Sequence, residues 1–128
     1  MKTIEKYLEN HHYKTQLDKL ARNLRNKKVL IYGYGAMFQF IEAHYDLSKF
    51  NIKGVVDKKF SDSDNTIFPK SYASIKIEEI ENIDYDCIVV AIEKFIFVLK
   101  DLENKTKKKV YPLIDKSFSE LVQDVFYL

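Results

Sequence analysis

Several residue types are scarce in this chain of 128 residues, and each shortage narrows what the protein can be. A single cysteine, Cys87, excludes an internal disulfide and is typical of a reducing compartment, so we expect a cytoplasmic protein. No run of about 18 apolar residues occurs, so the sequence predicts no membrane-spanning helix. The N-terminal segment is too polar for a signal peptide. Only three glycines are present, and we expect each one where the backbone requires it.

Arginine is also scarce, because Arg22 and Arg25 are the only two among 21 basic residues. Base readout and bidentate phosphate contacts favour arginine, so the composition argues against a nucleic-acid partner. Residues 1–28 carry eight basic side chains against three acidic ones. We interpret this excess as a solvated, lysine-rich helix face.

The rest of the composition, 46% hydrophobic and 31% charged, is ordinary for one soluble globular domain. We predict an N-terminal helical extension over residues 1–27, followed by the main domain over 28–128. The extension carries an apolar stripe at helical spacing: Tyr13, Leu17, Leu20, Ala21 and Leu24. The polar residues 10–12 are expected to interrupt this helix.

Two runs of Val, Leu and Ile, at residues 28–33 and 86–92, lack polar alternation and predict strands buried on both faces. A further strand is predicted over 52–56. The last strand, Val110–Ile114, contains Pro112, which cannot donate to a neighbouring strand and therefore belongs at a sheet edge.

Helices are predicted between these strands, over about residues 36–47 and 94–104. The first is expected to bury Met37, Phe40, Ile41, His44 and Tyr45. A polar loop is predicted over 58–72, and a capping box at residues 117–120 opens a C-terminal helix. Alternating strands and helices predict the α/β class, as a three-layer, Rossmann-like parallel sheet with added N- and C-terminal helices.

Two of the three glycines, Gly33 and Gly35, directly follow the first buried strand. A strand, Gly-x-Gly and an apolar helix form the first half of a mononucleotide-binding fold, in which the glycines let a phosphate approach the helix N-terminus. Phe38 stands where the full fingerprint has its third glycine. Asp57 ends the second strand, where a carboxylate can accept from a ribose hydroxyl, and Lys58 and the next lysine could meet a phosphate.

Three strings of the sequence resemble one branch of these folds: residues 28–36, 52–57 and 77–92. The branch includes the N-terminal Rossmann-like domains of bacterial sugar acyltransferases and of nucleoside-diphosphate-sugar dehydratases. The resemblance covers roughly residues 28–114. The repetitive catalytic domain of the acyltransferases has no counterpart in the chain, so the resemblance does not imply their catalytic residues.

The resemblance implies a nucleotide or nucleotide-sugar site and a role in bacterial surface-polysaccharide biosynthesis. NAD(P) or a nucleotide sugar is the implied ligand, and a homodimer or an enzyme of that pathway the implied partner. The predicted binding residues are Gly33, Tyr34, Gly35, Ala36, Met37, Asp57, Lys58 and Glu93, with Ala91, Ile92 and Glu93 on the far side of the site.

An alternative is a non-catalytic interaction or dimerisation module that keeps the fold without a ligand. Phe38 and the consecutive apolar residues 95–98 favour it. We predict no metal site, because the adjacent His11 and His12 diverge on a helix. We interpret His44 and Cys87 as packed side chains rather than catalytic ones. The sequence assigns no catalytic residue.

Overall fold

The computed structural model describes residues 2–61, 68–92 and 95–114. The helices are α1 (Lys2–Asn10), α2 (Tyr13–Asn23), α3 (Ala36–His44) and α4 (Phe95–Glu103). The strands are β1 (Lys28–Tyr32), β2 (Asn51–Val56), β3 (Ser74–Ile75), β4 (Cys87–Val90) and β5 (Lys109–Pro112). Two 3₁₀ helices span Lys58–Ser61 and Ile77–Asn82.

The five strands form one parallel sheet in the order β3-β2-β1-β4-β5. This arrangement confirms the predicted α/β class and Rossmann-like architecture. From β1 the chain adds strands on one side as far as β3, and then crosses back to place β4 on the other side of β1. In open α/β sheets, ligands bind beyond the carboxyl ends of the strands at such a reversal. The sequence-predicted turn at Gly33 and Gly35 lies at this position.

The sheet is covered on both faces, which explains the unbroken apolar runs of its central strands. Val29 and Ile31 of β1 belong to a core cluster shared with α2 and α3. Leu30 and Tyr32, which alternate with them, belong to a second cluster that includes Ile80 of the 3₁₀ helix Ile77–Asn82 and Leu102 of α4. The molecule therefore has three layers, with β1 at the centre.

The N-terminal extension breaks where the sequence predicted. His12 adopts a left-handed conformation (φ 57°), which ends α1 and lets α2 begin at Tyr13. Leu8 of α1 and Leu17 of α2 are buried in the core cluster on the α3 side of the sheet. The extension thus contributes directly to the core.

Several boundaries differ from the sequence prediction. α3 ends at His44, and the edge strand β3 was not predicted, since only two residues form it. Part of the predicted polar loop is the 3₁₀ helix Lys58–Ser61. Pro112 does lie in an edge strand, as predicted. The predicted C-terminal helix from 117 lies outside the described residues.

His44 corrects a further prediction, because its side chain is exposed rather than buried. Its ring still packs on Phe40, with a centroid distance of 4.3 Å. It lies in the last turn of α3, where the apolar stripe has already ended.

None of the helices in the described ranges is long and apolar enough to cross a membrane.

We expect Tyr13→Phe to destabilise the protein by about 1–2 kcal/mol, because it leaves a carbonyl without its donor. The buried Tyr13 hydroxyl donates to the Leu113 carbonyl at 3.0 Å and so ties α2 to the end of β5. Chemical denaturation followed by circular dichroism measures the change. Tyr45→Phe is the matched control, since its ring packs edge-on against Tyr13 at 5.0 Å and the described residues offer its hydroxyl no hydrogen bond. Equal losses in the two variants would contradict the prediction.

Candidate functional site

The turn after β1 depends on Gly33. Its φ of +110° is unfavourable for any residue with a side chain, and its amide donates to the Val56 carbonyl at 2.8 Å. A Cβ at this position would lie 2.4 Å from Cγ1 of Ile92 and 3.2 Å from the Ala91 carbonyl oxygen. Gly33 is therefore required by the fold itself, because it lets the turn lie against the end of β4.

Gly35 is different, since nothing in the fold requires a glycine there. Its backbone is extended (φ −105°, ψ −166°), and a Cβ would meet no atom of the described residues within 4 Å. Gly35 is half-buried and the following Ala36 is exposed, so solvent reaches this side of the turn. The second glycine of the pair thus borders open space.

Helix α3 begins at this open space. Among the described residues, the amides of Gly35, Ala36 and Met37 have no hydrogen-bond acceptor. The first amides of a helix carry partial positive charge and attract anions. The turn therefore presents unpaired donors beside an accessible space. Such a combination suits a phosphate.

Phe38 does not fill the space beside Gly35. Its side chain is fully buried, and its ring packs against Tyr34 and Tyr72 with centroid distances of 5.9 and 6.3 Å. Tyr34 and Met37 are also buried, at 6% and 2% exposure. Tyr34 and Met37, two of the predicted site residues, therefore point their side chains into the core. Only their backbone groups belong to the turn.

Asp57 joins the end of β2 to this turn. Its Oδ2 accepts from the Tyr34 amide at 2.7 Å, and its Oδ1 accepts from the Lys59 amide at 3.0 Å. The carboxylate is half-buried, and each of its oxygens has a further lone pair for a ligand hydroxyl. The sequence predicted the position of this acid, although its hydrogen bonds to the turn were not foreseen.

The structure separates the two lysines that follow Asp57. The Lys58 ammonium extends to Asp101 of α4, with an Nζ to Oδ2 distance of 3.2 Å, and both side chains are largely exposed. The Lys59 ammonium donates to the Tyr34 carbonyl and lies 5.5 Å from the centre of the Tyr34 ring. Of the two lysines that the sequence placed within reach of a phosphate, Lys59 lies at the turn and Lys58 lies beside Asp101.

The far side of the turn is formed by the residues after β4. Ala91 donates to the Tyr32 carbonyl at 2.8 Å, and the Ile92 side chain lies against Gly33. This is the position that the sequence predicted for both residues. The predicted site residue Glu93 lies outside the described residues.

The tyrosines near the turn are unsuited to act as bases. Burial raises the pKa of Tyr32 to about 12, and the carboxylates of Asp101 and Asp57 add to this effect. Burial also raises the pKa of Tyr34, with a contribution from Glu42. Both phenols therefore remain protonated at neutral pH.

Glu42 is the feature of this region that the sequence analysis missed. Its Oε2 is buried and finds no hydrogen-bond partner among the described residues, and desolvation raises the pKa of the carboxyl. Its charge also raises the pKa of Tyr34 and Tyr72, which places it beside the aromatic contacts of Phe38. Glu42 follows Phe38 by four residues on α3, and that spacing was the only signal in the sequence.

A separate cavity of about 500 Å³ lies between α1, α2 and the end of α3. It is lined by both carboxylates and lysines, among them Glu5, Glu9, Lys14 and Lys49. It is distinct from the turn, which begins α3 at its other end.

The described residues hold no group of three His, Cys, Asp or Glu side chains placed to share a metal ion. Cys87 is buried in β4, and burial raises the pKa of its thiol.

No protein-family model matches this sequence, and the search of curated proteins also gives no match.

We expect Gly33→Ala to destabilise the protein by at least about 2 kcal/mol, because a side chain there is strained and collides with Ile92. Gly35→Ala is the matched control, since its backbone is ordinary and its Cβ has room. Its cost should stay within about 0.5 kcal/mol, because a weaker helix cap is offset by a less flexible unfolded chain. Urea unfolding monitored by circular dichroism compares them. A similar loss in both variants would show that Gly35 is also structural.

We expect Glu42→Gln to raise the melting temperature at pH 7.5 and to leave it nearly unchanged near pH 4. The folded state holds the Glu42 proton to a higher pH than the unfolded chain, so this group lowers stability as pH rises above its ordinary pKa of 4.5. The neutral amide removes that loss. Thermal melts of both proteins across this range provide the measurement, and a constant difference at every pH would contradict the prediction.

Proposed function

We propose that this protein binds a nucleotide or nucleotide sugar at the turn between β1 and α3. The observation that carries the proposal is Gly35, a glycine that the fold does not require, placed beside open space. A side chain there would occupy part of the open space at the start of α3. A glycine keeps that approach clear for an anionic group.

Each part of a nucleotide has a complementary group near this turn. The α3 amides and the Lys59 ammonium suit the phosphates, and the free lone pairs of Asp57 suit a ribose hydroxyl. NAD(P) and nucleotide sugars share these features, and both belong to the proposed ligand class. Lys58, held near Asp101, is more remote from the phosphate position than Lys59.

We further propose a role in bacterial surface-polysaccharide biosynthesis, in the cytoplasm and beside the enzymes of that pathway. This part rests on the resemblance of residues 28–36, 52–57 and 77–92 to the N-terminal domains of sugar acyltransferases and nucleotide-sugar dehydratases. Nucleotide sugars are the substrates shared by such enzymes. The order β3-β2-β1-β4-β5 is compatible with that relationship.

The alternative function is a protein-interaction or dimerisation module without a ligand. The hydrogen bond from the Tyr34 amide to Asp57 favours it, because the protein's own carboxylate already occupies one donor of the turn. The full burial of Phe38 in place of a third glycine favours it as well. The sequence analysis took the consecutive apolar residues 95–98 as a sign of a dimer interface. The side chains of residues 95–97 are not among those that the structure describes.

Ligand binding to Gly35 variants tests the proposal. UDP, a UDP-sugar, NAD and NADP should each be added at increasing concentration while the melting temperature is measured. A ligand at a hundred times its Kd stabilises the folded state by about 2.7 kcal/mol, which raises the melting temperature clearly. Gly35→Val should abolish the response while keeping the melting temperature of the unliganded protein, because its side chain enters the open space.

A pair of lysine variants controls for charge. Lys59→Met should weaken binding of any ligand that stabilises the wild-type protein, whereas Lys100→Met, which removes an exposed charge from α4, should not. Asp57→Ala is a poorer test because it also frees two backbone amides of the fold. No response of the wild-type protein to the whole panel, together with a dimer in light scattering, would favour the interaction module instead.

A further inference from the structure

One large apolar side chain in the described part of the chain is exposed, and it is Phe68. Residue Phe68 is 44% exposed, whereas the neighbouring Phe60 is 4% exposed. Exposing a phenyl ring to water is unfavourable, and an exposed aromatic ring offers a flat face on which a nucleobase can stack. The surroundings of Phe68 indicate what it contacts.

Phe68 ends a row of aromatic rings that starts at the glycine turn. It stacks on Phe60 with a centroid distance of 5.2 Å and an interplanar angle of 24°. Phe60 in turn lies 6.2 Å from the ring of Tyr34, the residue between the two glycines. In this near-parallel stack Phe60 covers one face of the Phe68 ring.

Asp57 fixes the inner end of this row. The Phe60 amide donates to the Asp57 carbonyl at 3.1 Å, and the Asp57 carboxylate accepts from the Tyr34 amide at 2.7 Å. The ribose-binding candidate and the buried ring of the stack therefore belong to the same short segment after β2. Two ring-to-ring contacts thus connect Phe68 to Tyr34, the residue between the two glycines.

From this geometry we infer that Phe68 is the base-stacking residue of the site, and that the ligand carries a planar nucleobase. This inference rests on the proposed function and adds the residue that selects for the base. Every nucleobase has a π face, so the contact favours purine and pyrimidine nucleotides over phosphorylated sugars without a base. Specificity among bases then depends on other groups.

The experiment measures binding by calorimetry with ADP and UDP as nucleotides and ribose 5-phosphate as the ligand without a base. Phe68→Ala should weaken both nucleotides, by roughly 5- to 150-fold if stacking has its usual strength. Phe68→Leu, which is apolar but not planar, should behave in the same way. Phe68→Tyr keeps the ring and should bind like the wild type. Ribose 5-phosphate should bind equally to all four proteins.

The outcomes separate this inference from the proposed function. If the wild-type protein and Phe68→Ala bind ADP and UDP with the same Kd, the stacking role is wrong and the nucleotide site stands. Equal weakening of ribose 5-phosphate and the nucleotides would also overturn it, because Phe68 would then act through the shape of the loop. If the wild-type protein binds none of these three ligands, and neither NAD, NADP nor a UDP-sugar, both proposals fall. Melting temperatures confirm that each variant is folded.

Discussion

The constraint on which this structure depends is the close approach of the turn after β1 to the end of β4. The φ of Gly33, +110°, strains any residue with a side chain, and a Cβ there would also displace the Ile92 side chain and press on the Ala91 carbonyl. Because β1 is the central strand, its exit determines where α3 begins and which side of the sheet α3 covers. Gly33 thus fixes the position of the turn, and the open space beside Gly35 is a consequence of it.

The two glycines of the pair therefore have separable physical roles. Gly33 is explained by the fold alone, so its presence says nothing about a ligand. Gly35 is explained neither by its dihedral angles nor by its neighbours. A Gly-x-Gly motif is often interpreted as a unit, yet only its second member bears on binding here. The stability of variants at the two positions distinguishes these roles before any ligand is known.

Most of the fold could be predicted from the sequence because its signals are local. The apolar runs of β1 and β4 required burial on both faces, and Pro112 required an edge. The misses have physical reasons. β3 is two residues long and has no periodicity to detect, and His44 follows apolar residues at helical spacing although the covered part of α3 ends before it.

The site was predicted less completely, since adjacent residues can diverge in space. Lys58 and Lys59 are equivalent in sequence, but the 3₁₀ turn that follows Asp57 directs one ammonium to Asp101 and the other to the Tyr34 carbonyl. No pattern in a single sequence encodes that choice. Glu42 and Phe68 were missed for a similar reason, because each depends on residues distant in the sequence. Glu42 lies near tyrosines whose pKa it raises, and the Phe68 ring stacks on Phe60.

The contacts within the turn bear directly on how strongly the proposed site could bind an anion. Lys59 is already held at the turn by the Tyr34 carbonyl, so a phosphate would find the cation in place and would not have to order a long side chain. Pre-organisation of this kind lowers the entropic cost of binding. The hydrogen bond that the Tyr34 amide donates to Asp57 has the opposite effect, because it places a negative carboxylate near the same amides. A ligand that offers a hydroxyl to Asp57 gains from that carboxylate, whereas a bare phosphate is repelled by it. At the proposed site we therefore expect a phosphorylated ribose to bind more tightly than inorganic phosphate. This preference follows from Asp57 and Lys59, which lie directly after β2.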